Sequence, residues 1–276
     1  DPPRGLGVGA AADEHALLDA MNPEQAAQRT YTHPALTTQL GRERIRQIEL
    51  DVFADTDGGR YRTPAFRVHT GKGPLSDPAM AEPGTKVLHE QDVDYASVCP
   101  TLVACLREVK AWSDAHREHV PIAIAIQLKD GPLIFPVPEQ AKPEPWDEAH
   151  LRALDAEITS VFPAERIITP DDVRGDAASV NAAVLADGWP TLGESRGKVL
   201  FLMVNPEPYR SHYLAVHPEL VGAVLFTNGE PGQADAAYVG LDDPIADGAK
   251  IRPLVDQGYL VRTRADADGT EATAND

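Results

Sequence analysis

Sulfur chemistry is almost absent from this chain, which has two cysteines, Cys99 and Cys105, in 276 residues. A disulfide-dense scaffold and a four-cysteine zinc site are both excluded. The pair itself has two readings, a bridge across a helix start or two buried thiols. The bridge would point to an oxidising compartment. Positive charge is scarce too: 25 Lys and Arg face 43 Asp and Glu, for a formal net charge of −18. That field repels a nucleic-acid backbone, and no basic block offsets it, so nucleic acid is not an expected partner. It also repels an anionic membrane surface unless a divalent cation intervenes. Long apolar runs are missing. The longest, Val120–Ile126, falls well short of the ~20 residues that cross a bilayer. No G-x-S-x-G elbow, Walker motif or strand-to-helix G-x-G-x-x-G is present, and Gly5-Leu6-Gly7-Val8-Gly9 precedes any strand. No leader peptide is visible. The opening Asp1-Pro2-Pro3 has the look of a mature or trimmed start.

What is present is enough apolar material for a core, at 42% of residues. Disorder throughout is therefore excluded. The length suits one barrel of about 250 residues. No linker-like shift in composition divides the chain, so residues 1–276 read as a single domain. Residues 1–12 read as loop. Helical spacing is clear over 13–21, 101–115 (with Pro100 at its first position) and 147–162. Apolar strands are expected at 45–52, 86–89, 121–128, 198–204, 222–227 and 258–264. A short extended piece is expected at 166–173, and irregular chain at 66–84 and 132–145. Strands alternating with helices predict an α/β fold with a parallel sheet, that is, a TIM-type (β/α) barrel.

Parallel barrels carry function at the C-terminal ends of their strands. The first strand ends in Glu49 and Asp51, whose i, i+2 spacing turns both carboxylates one way. The second ends at His89, the third at Gln127 and Lys129, the fourth at Asn205, the fifth at Asn228, and the last in Arg262 and Arg264. Two acids beside an amide oxygen suit a hard cation such as calcium or magnesium. A nearby histidine suits general acid or base work. Lys and Arg facing the same space suit phosphate. Plainer readings stand beside these. Glu49 and Asp51 could pair with Arg44 or Arg46, His89 could be a core histidine, Gln127 and Lys129 could simply brace the acids, and Arg262 and Arg264 could be a solvated strand end. His15, His33, His116, His119, His150, His212 and His217 read as surface or capping residues.

Several longer runs carry a resemblance. They are Tyr31-Thr32-His33-Pro34-Ala35-Leu36-Thr37-Thr38-Gln39-Leu40, Ile48-Glu49-Leu50-Asp51-Val52-Phe53-Ala54-Asp55, Lys86-Val87-Leu88-His89, Asp92-Val93-Asp94-Tyr95, Cys99-Pro100-Thr101-Leu102-Val103-Ala104-Cys105, Ala111-Trp112-Ser113-Asp114-Ala115-His116, Gly197-Lys198-Val199-Leu200-Phe201-Leu202 and Leu260-Val261-Arg262-Thr263-Arg264-Ala265-Asp266. In this order the chain resembles the bacterial calcium-dependent phosphatidylinositol-specific phospholipase C family. The resemblance implies a TIM-type barrel, a phosphoinositide lipid substrate met at a membrane surface in transient contact, and Ca2+ as cofactor. It implies cleavage of the phosphodiester to diacylglycerol and cyclic inositol phosphate. Glu49 and Asp51 match the family's calcium-binding acids and His89 its second catalytic histidine, while Lys129 keeps the family's position. Gln127 stands where the family usually has a glutamate, and Val204 where many relatives have an aspartate.

The family's opening His-Asn-Ser-Tyr strand and closing Ser-Thr-Asp-Tyr strand have no match here. The barrel is therefore expected to lack its first and last strands in this chain, as an incomplete sequence or as a natural pseudoenzyme that binds calcium or phosphoinositide without catalysis. A glycerophosphodiester phosphodiesterase acting on soluble diesters is the alternative enzyme. A secreted protein with no obligate protein partner is the expectation.

Overall fold

The computed structural model describes residues 12–29, 31–133, 137–186 and 188–264. The loop expected at the start, with Gly5–Gly9, lies outside them, as do Ala265 and Asp266 of the last motif. In chain order the regular elements are α1 (Ala12–Met21), α2 (Pro23–Gln28), α3 (Leu36–Gly41), β1 (Gln47–Phe53), α4 (Ala65–His69), β2 (Lys86–Val87), α5 (Leu102–Ala115), β3 (Ile122–Leu128), α6 (Glu148–Val161), α7 (Pro170–Arg174) and α8 (Val180–Ala186). Next come α9 (Leu192–Ser195), β4 (Val199–Met203), α10 (Tyr209–Val216), β5 (Leu225–Phe226), β6 (Tyr238–Gly240), α11 (Gly248–Asp256) and β7 (Leu260–Arg262). The chain divides into two compact units, each discontinuous in sequence. The first takes Leu50–Trp112, Leu128–Trp146 and the described part of Asp1–Ile45. The second takes Arg46–Glu49, Ser113–Gln127 and the described part of Asp147–Asp276.

Local chemistry explains the strongest elements. All five residues of β4 are buried, the pattern of a strand covered on both faces. Each large apolar side chain so buried stabilises by about 1.5–3 kcal/mol. Helix α6 starts at Asp147, whose carboxylate accepts from the Ala149 and His150 amides at 3.0 Å each. It buries Leu151, Leu154, Ile158 and Val161 along one stripe. Of residues 166–173, expected to be extended, Ile167 bridges Val199 of β4 in parallel and Thr169 is extended, while Pro170 opens α7 in its first turn with a capping box between Thr169 and Asp172. That Thr-Pro-Asp-Asp signature was readable.

The expected parallel order holds in the second unit. There β3 pairs with β4 and β4 with β5, all parallel. A single parallel bridge joins Asn228 to Tyr238, and β6 runs parallel to β7. Consecutive strands thus lie side by side, as in a wound (β/α) sheet. β6 was not anticipated, because three residues are too few to show a pattern.

In the first unit the parallel expectation fails, since β2 is antiparallel to β1, with Val52 opposite Val87 and Phe53 opposite Lys86. The reason is the connection. It leaves β1 at Phe53 and re-enters opposite Phe53, so it returns to the same end of the sheet, whereas a parallel pair needs a crossover to the far end. The first unit packs around two clusters, one including Leu18, Phe66, Val93 and Leu133 and one of Phe53, Tyr61, Met80 and Leu88. The Cys99–Cys105 alternative resolves as a disulfide.

Candidate active site

In the first unit β1 carries Asp51, and its antiparallel partner chain carries His89. The Leu88 amide donates to the Asp51 carbonyl at 3.2 Å, which brings His89 into the neighbourhood of Asp51. The juxtaposition therefore comes from a reversed strand, not from a rim shared by parallel strands. Lys129 is fixed beside them, with its amide bonded to the Val52 carbonyl at 2.9 Å and its carbonyl accepting from the Trp146 indole at 3.2 Å. Its ammonium lies 3.3 Å from the Asp51 carboxylate. Burial pushes the Asp51 carboxyl above its ordinary range, although Lys129 and His89 pull it down.

The imidazole of His89 is 41% exposed, and its Nδ1 lies 2.8 Å from a carboxylate oxygen of the buried Asp94. Burial works to lower the His89 pKa. The hydrogen bond and charge of Asp94, aided by Asp51 and Glu90, outweigh it, so the proton is held more tightly than usual. An exposed imidazole backed by a buried carboxylate can deliver a proton. Asp94 was missed at the sequence level as a functional residue. The carboxylate five residues after His89 was visible, but the turn that folds it back was not.

In the second unit the strand ends of β3 to β7 open on a cavity of about 420 Å3 lined by Gln127, Asn205, Asn228, Asp242, Asp247 and Arg262, among others. Arg262 is not a solvated strand end: its side chain is 9% exposed and bonds Glu49 at 2.5 Å as well as Asp242. The Arg262 Nε is buried without a hydrogen-bond partner. Arg264 is more open, with Asp242 3.7 Å away. Glu49 therefore pairs with Arg262. His119 departs from the surface-or-capping reading, while His217 stands at the C-cap of α10. His119 is buried against Ser113, at 2.6 Å, and His217 pairs with the carboxylate of Asp155 at 2.7 Å.

Asp51 in the first unit, and Glu49 and Gln127 in the second, each offer oxygen atoms, the ligand type that a hard cation takes. Strand alternation puts Glu49 and Asp51 on the same side of β1. The Glu49 carboxylate has Arg262 as its cationic neighbour and the Asp51 carboxylate has Lys129. Among the described residues no group of three or more His, Cys, Asp and Glu side chains is arranged for a metal.

A family model described as phosphoinositide phospholipase C, Ca2+-dependent, matches residues 7–276. The chain belongs to this family. Solved structures agree on the fold. An apo calcium-dependent phosphoinositol-specific phospholipase C from Pseudomonas sp. superposes with a TM-score of 0.60 at 19% identity, covering 88% of this chain and 80% of that one. A myo-inositol complex of a Pseudomonas sp. enzyme of the same description gives 0.57 at 18%, with the same coverage. A Ca2+-dependent phosphatidylinositol-specific phospholipase C from Streptomyces antibioticus gives 0.50 at 20%, covering 79% and 72%. A search of curated proteins gave no match. The fold class is α/β with a mostly parallel sheet, that of these TIM-barrel-type phospholipases.

Proposed function

We propose that this phosphoinositide phospholipase C cleaves the headgroup phosphodiester of phosphatidylinositol, releasing diacylglycerol and cyclic inositol phosphate. The observation that carries the reading is the family match over residues 7–276. In the proposed chemistry the inositol 2-hydroxyl attacks phosphorus, giving up its proton to solvent, and the bond from phosphorus to the glycerol oxygen breaks. His89 protonates that oxygen, its acid form favoured by the Asp94 carboxylate against the opposing effect of burial. Lys129, 25% exposed, and Arg264, 41% exposed, are the cations proposed to bind the phosphate. Arg262 acts behind them, its guanidinium engaged by Glu49 and Asp242. Calcium, when bound, supplies positive charge against the developing phosphorane. Glu49 and Asp51, which match the family's calcium-binding acids, and the Gln127 amide oxygen are the ligands proposed for it. The net charge of −18 makes contact with an anionic bilayer transient and helped by divalent ions. The Cys99–Cys105 disulfide supports a secreted location.

The test is turnover of phosphatidylinositol in mixed micelles, read as inositol phosphate released, with calcium and with a chelator. Calcium-stimulated release is expected, with His89→Ala slowing it by about 10²–10⁴-fold, the usual span of a general acid. Preference for soluble glycerophosphoinositol would instead favour the diesterase reading. Calcium binding without any turnover would favour the binding module.

A further inference from the structure

The carboxylate behind His89 sits in an unusual setting. Glu90 and Asp94 exchange backbone hydrogen bonds at 3.0 and 3.1 Å, closing a short loop after His89. Inside that loop Asp92 accepts from the Ala65 and Ala141 amides at 2.8 Å each, and Val93 is buried in the core cluster. The loop is thus pinned from below, and its closure folds Asp94 back under the imidazole. One Asp94 oxygen, Oδ2, takes the His89 Nδ1 contact at 2.8 Å and the Tyr31 hydroxyl at 2.7 Å. The other oxygen, Oδ1, is buried with no hydrogen-bond partner, and the whole side chain is 1% exposed.

Burying a half-satisfied carboxylate is costly, and a carboxylate kept only for structure has both oxygens paired as a rule. Here the burial leaves its charge directed at the imidazole. Tyr31 belongs to the same arrangement. Its ring meets the His89 ring edge-on at 6.4 Å, and Arg29, two residues earlier, grips Glu90 through Nε at 3.1 Å and Nη2 at 2.5 Å. Burial and the Asp94 charge hold the Tyr31 phenol protonated, so it remains a donor at every working pH.

We infer that Asp94 and Tyr31 are positioning residues for His89: Asp94 fixes the imidazole with Nδ1–H inward and Nε2 outward, and Tyr31 locks the carboxylate in that pose. The inference rests on the general-acid reading of His89. With Nδ1 bonded to Asp94, the proton delivered to the leaving oxygen comes from Nε2, and the neutral product ring keeps its Nδ1–H. The charged groups facing the imidazole are Asp94, Asp51 and Glu90, with Lys129 on Asp51 and Arg29 on Glu90.

Three measurements on the full chain test this. First, nitrogen NMR of His89 in the wild type, above its titration point, is expected to show the Nδ1–H tautomer. The Nε2–H tautomer there would overturn the inference, and this reading needs no turnover. Second, Asp94→Ala and the isosteric Asp94→Asn are expected to lower kcat by about 10–10³-fold and to move the alkaline limb of its pH profile to lower pH. Tyr31→Phe is expected to lower kcat about 3–10-fold with KM little changed. Third, an inositol phosphodiester with an aryl leaving group needs no protonation, so the Asp94 defect is expected to shrink on it. An unmoved alkaline limb with equal losses on both substrates would mean a structural role and would overturn the assignment. Wild-type protein that shows the Nδ1–H tautomer but turns over neither substrate would sink the phospholipase reading and leave the geometry standing.

Discussion

Removing the Asp155 carboxylate tests a hub in the second unit. Asp155 lies on α6 and is buried. It accepts from His217 at 2.7 Å and from the Tyr213 hydroxyl at 3.1 and 3.2 Å. That hydroxyl in turn accepts from the amides of Val224 and Leu225, each at 3.1 Å, at the entrance to β5. One carboxylate thus ties α6, α10 and a sheet strand together. The side chains are 15% exposed at His217 and 12% at Asp155, so solvent screening is modest. Asp155→Ala strips the counter-charge from His217 and the acceptor from Tyr213, a loss of roughly 3–5 kcal/mol for one half of a buried pair. At roughly 2 °C per kcal/mol in a chain this long, Tm falls by about 6–10 °C. Asp155→Asn adds a pH signature. The hydrogen bond and charge of Asp155 raise the His217 pKa against the opposing effects of burial and Arg152. A raised histidine stabilises fully below its unfolded value near 6.5, and that stability is lost as pH rises through the folded value. The gap between wild type and Asp155→Asn is therefore widest near pH 5.5 and narrows towards pH 8.5. Urea titrations at a series of pH values measure it, and a gap constant across that range would refute the reasoning.

Other expectations follow from the same geometry. Cys99→Ala with Cys105→Ala removes a bridge of sequence separation 6, worth about 2 kcal/mol of loop entropy and roughly 4 °C in Tm. Reduction of the wild type should match it, and a melting point unmoved by reductant would refute the estimate. Lys86, fully buried, lies 3.2 Å from Asp55. Lys86→Met strands that carboxylate at a cost of about 3–5 kcal/mol, and the double change with Asp55→Leu recovers part of it in denaturant titration. Gln127→Glu restores a third charge to the donor set and should tighten calcium binding by about tenfold in calorimetry, because ligand charge tunes calcium affinity. Unchanged affinity would remove Gln127 from the set.

Some of this was legible without coordinates and some was not. The runs now seen as β3, β4, α5 and α6 stood out because their burial repeats along the chain, and a repeating pattern is local information. β5 lies inside the apolar run 222–227 expected as a strand, whereas β6, three residues long, carries no period to read. The pairing of His217 with Asp155 was hidden because the two lie 62 positions apart. The pairing of Arg262 with Glu49 was hidden because they lie 213 positions apart. The resemblance pointed to Glu49 and Asp51, which lie on β1, and to His89 and Lys129, which follow β2 and β3. It said nothing of Asp94 and Tyr31 as partners of the histidine.

The order of residues alone determined the acid excess, the apolar strands, the Asp147 helix cap and the family. These depend on composition and on neighbours a few positions apart. Folding decided which carboxylate meets which cation, that β2 runs against β1, and that a buried aspartate stands behind His89. Hydrogen bonds and ion pairs act over a few ångströms of space, and only the folded chain brings such distant positions that close.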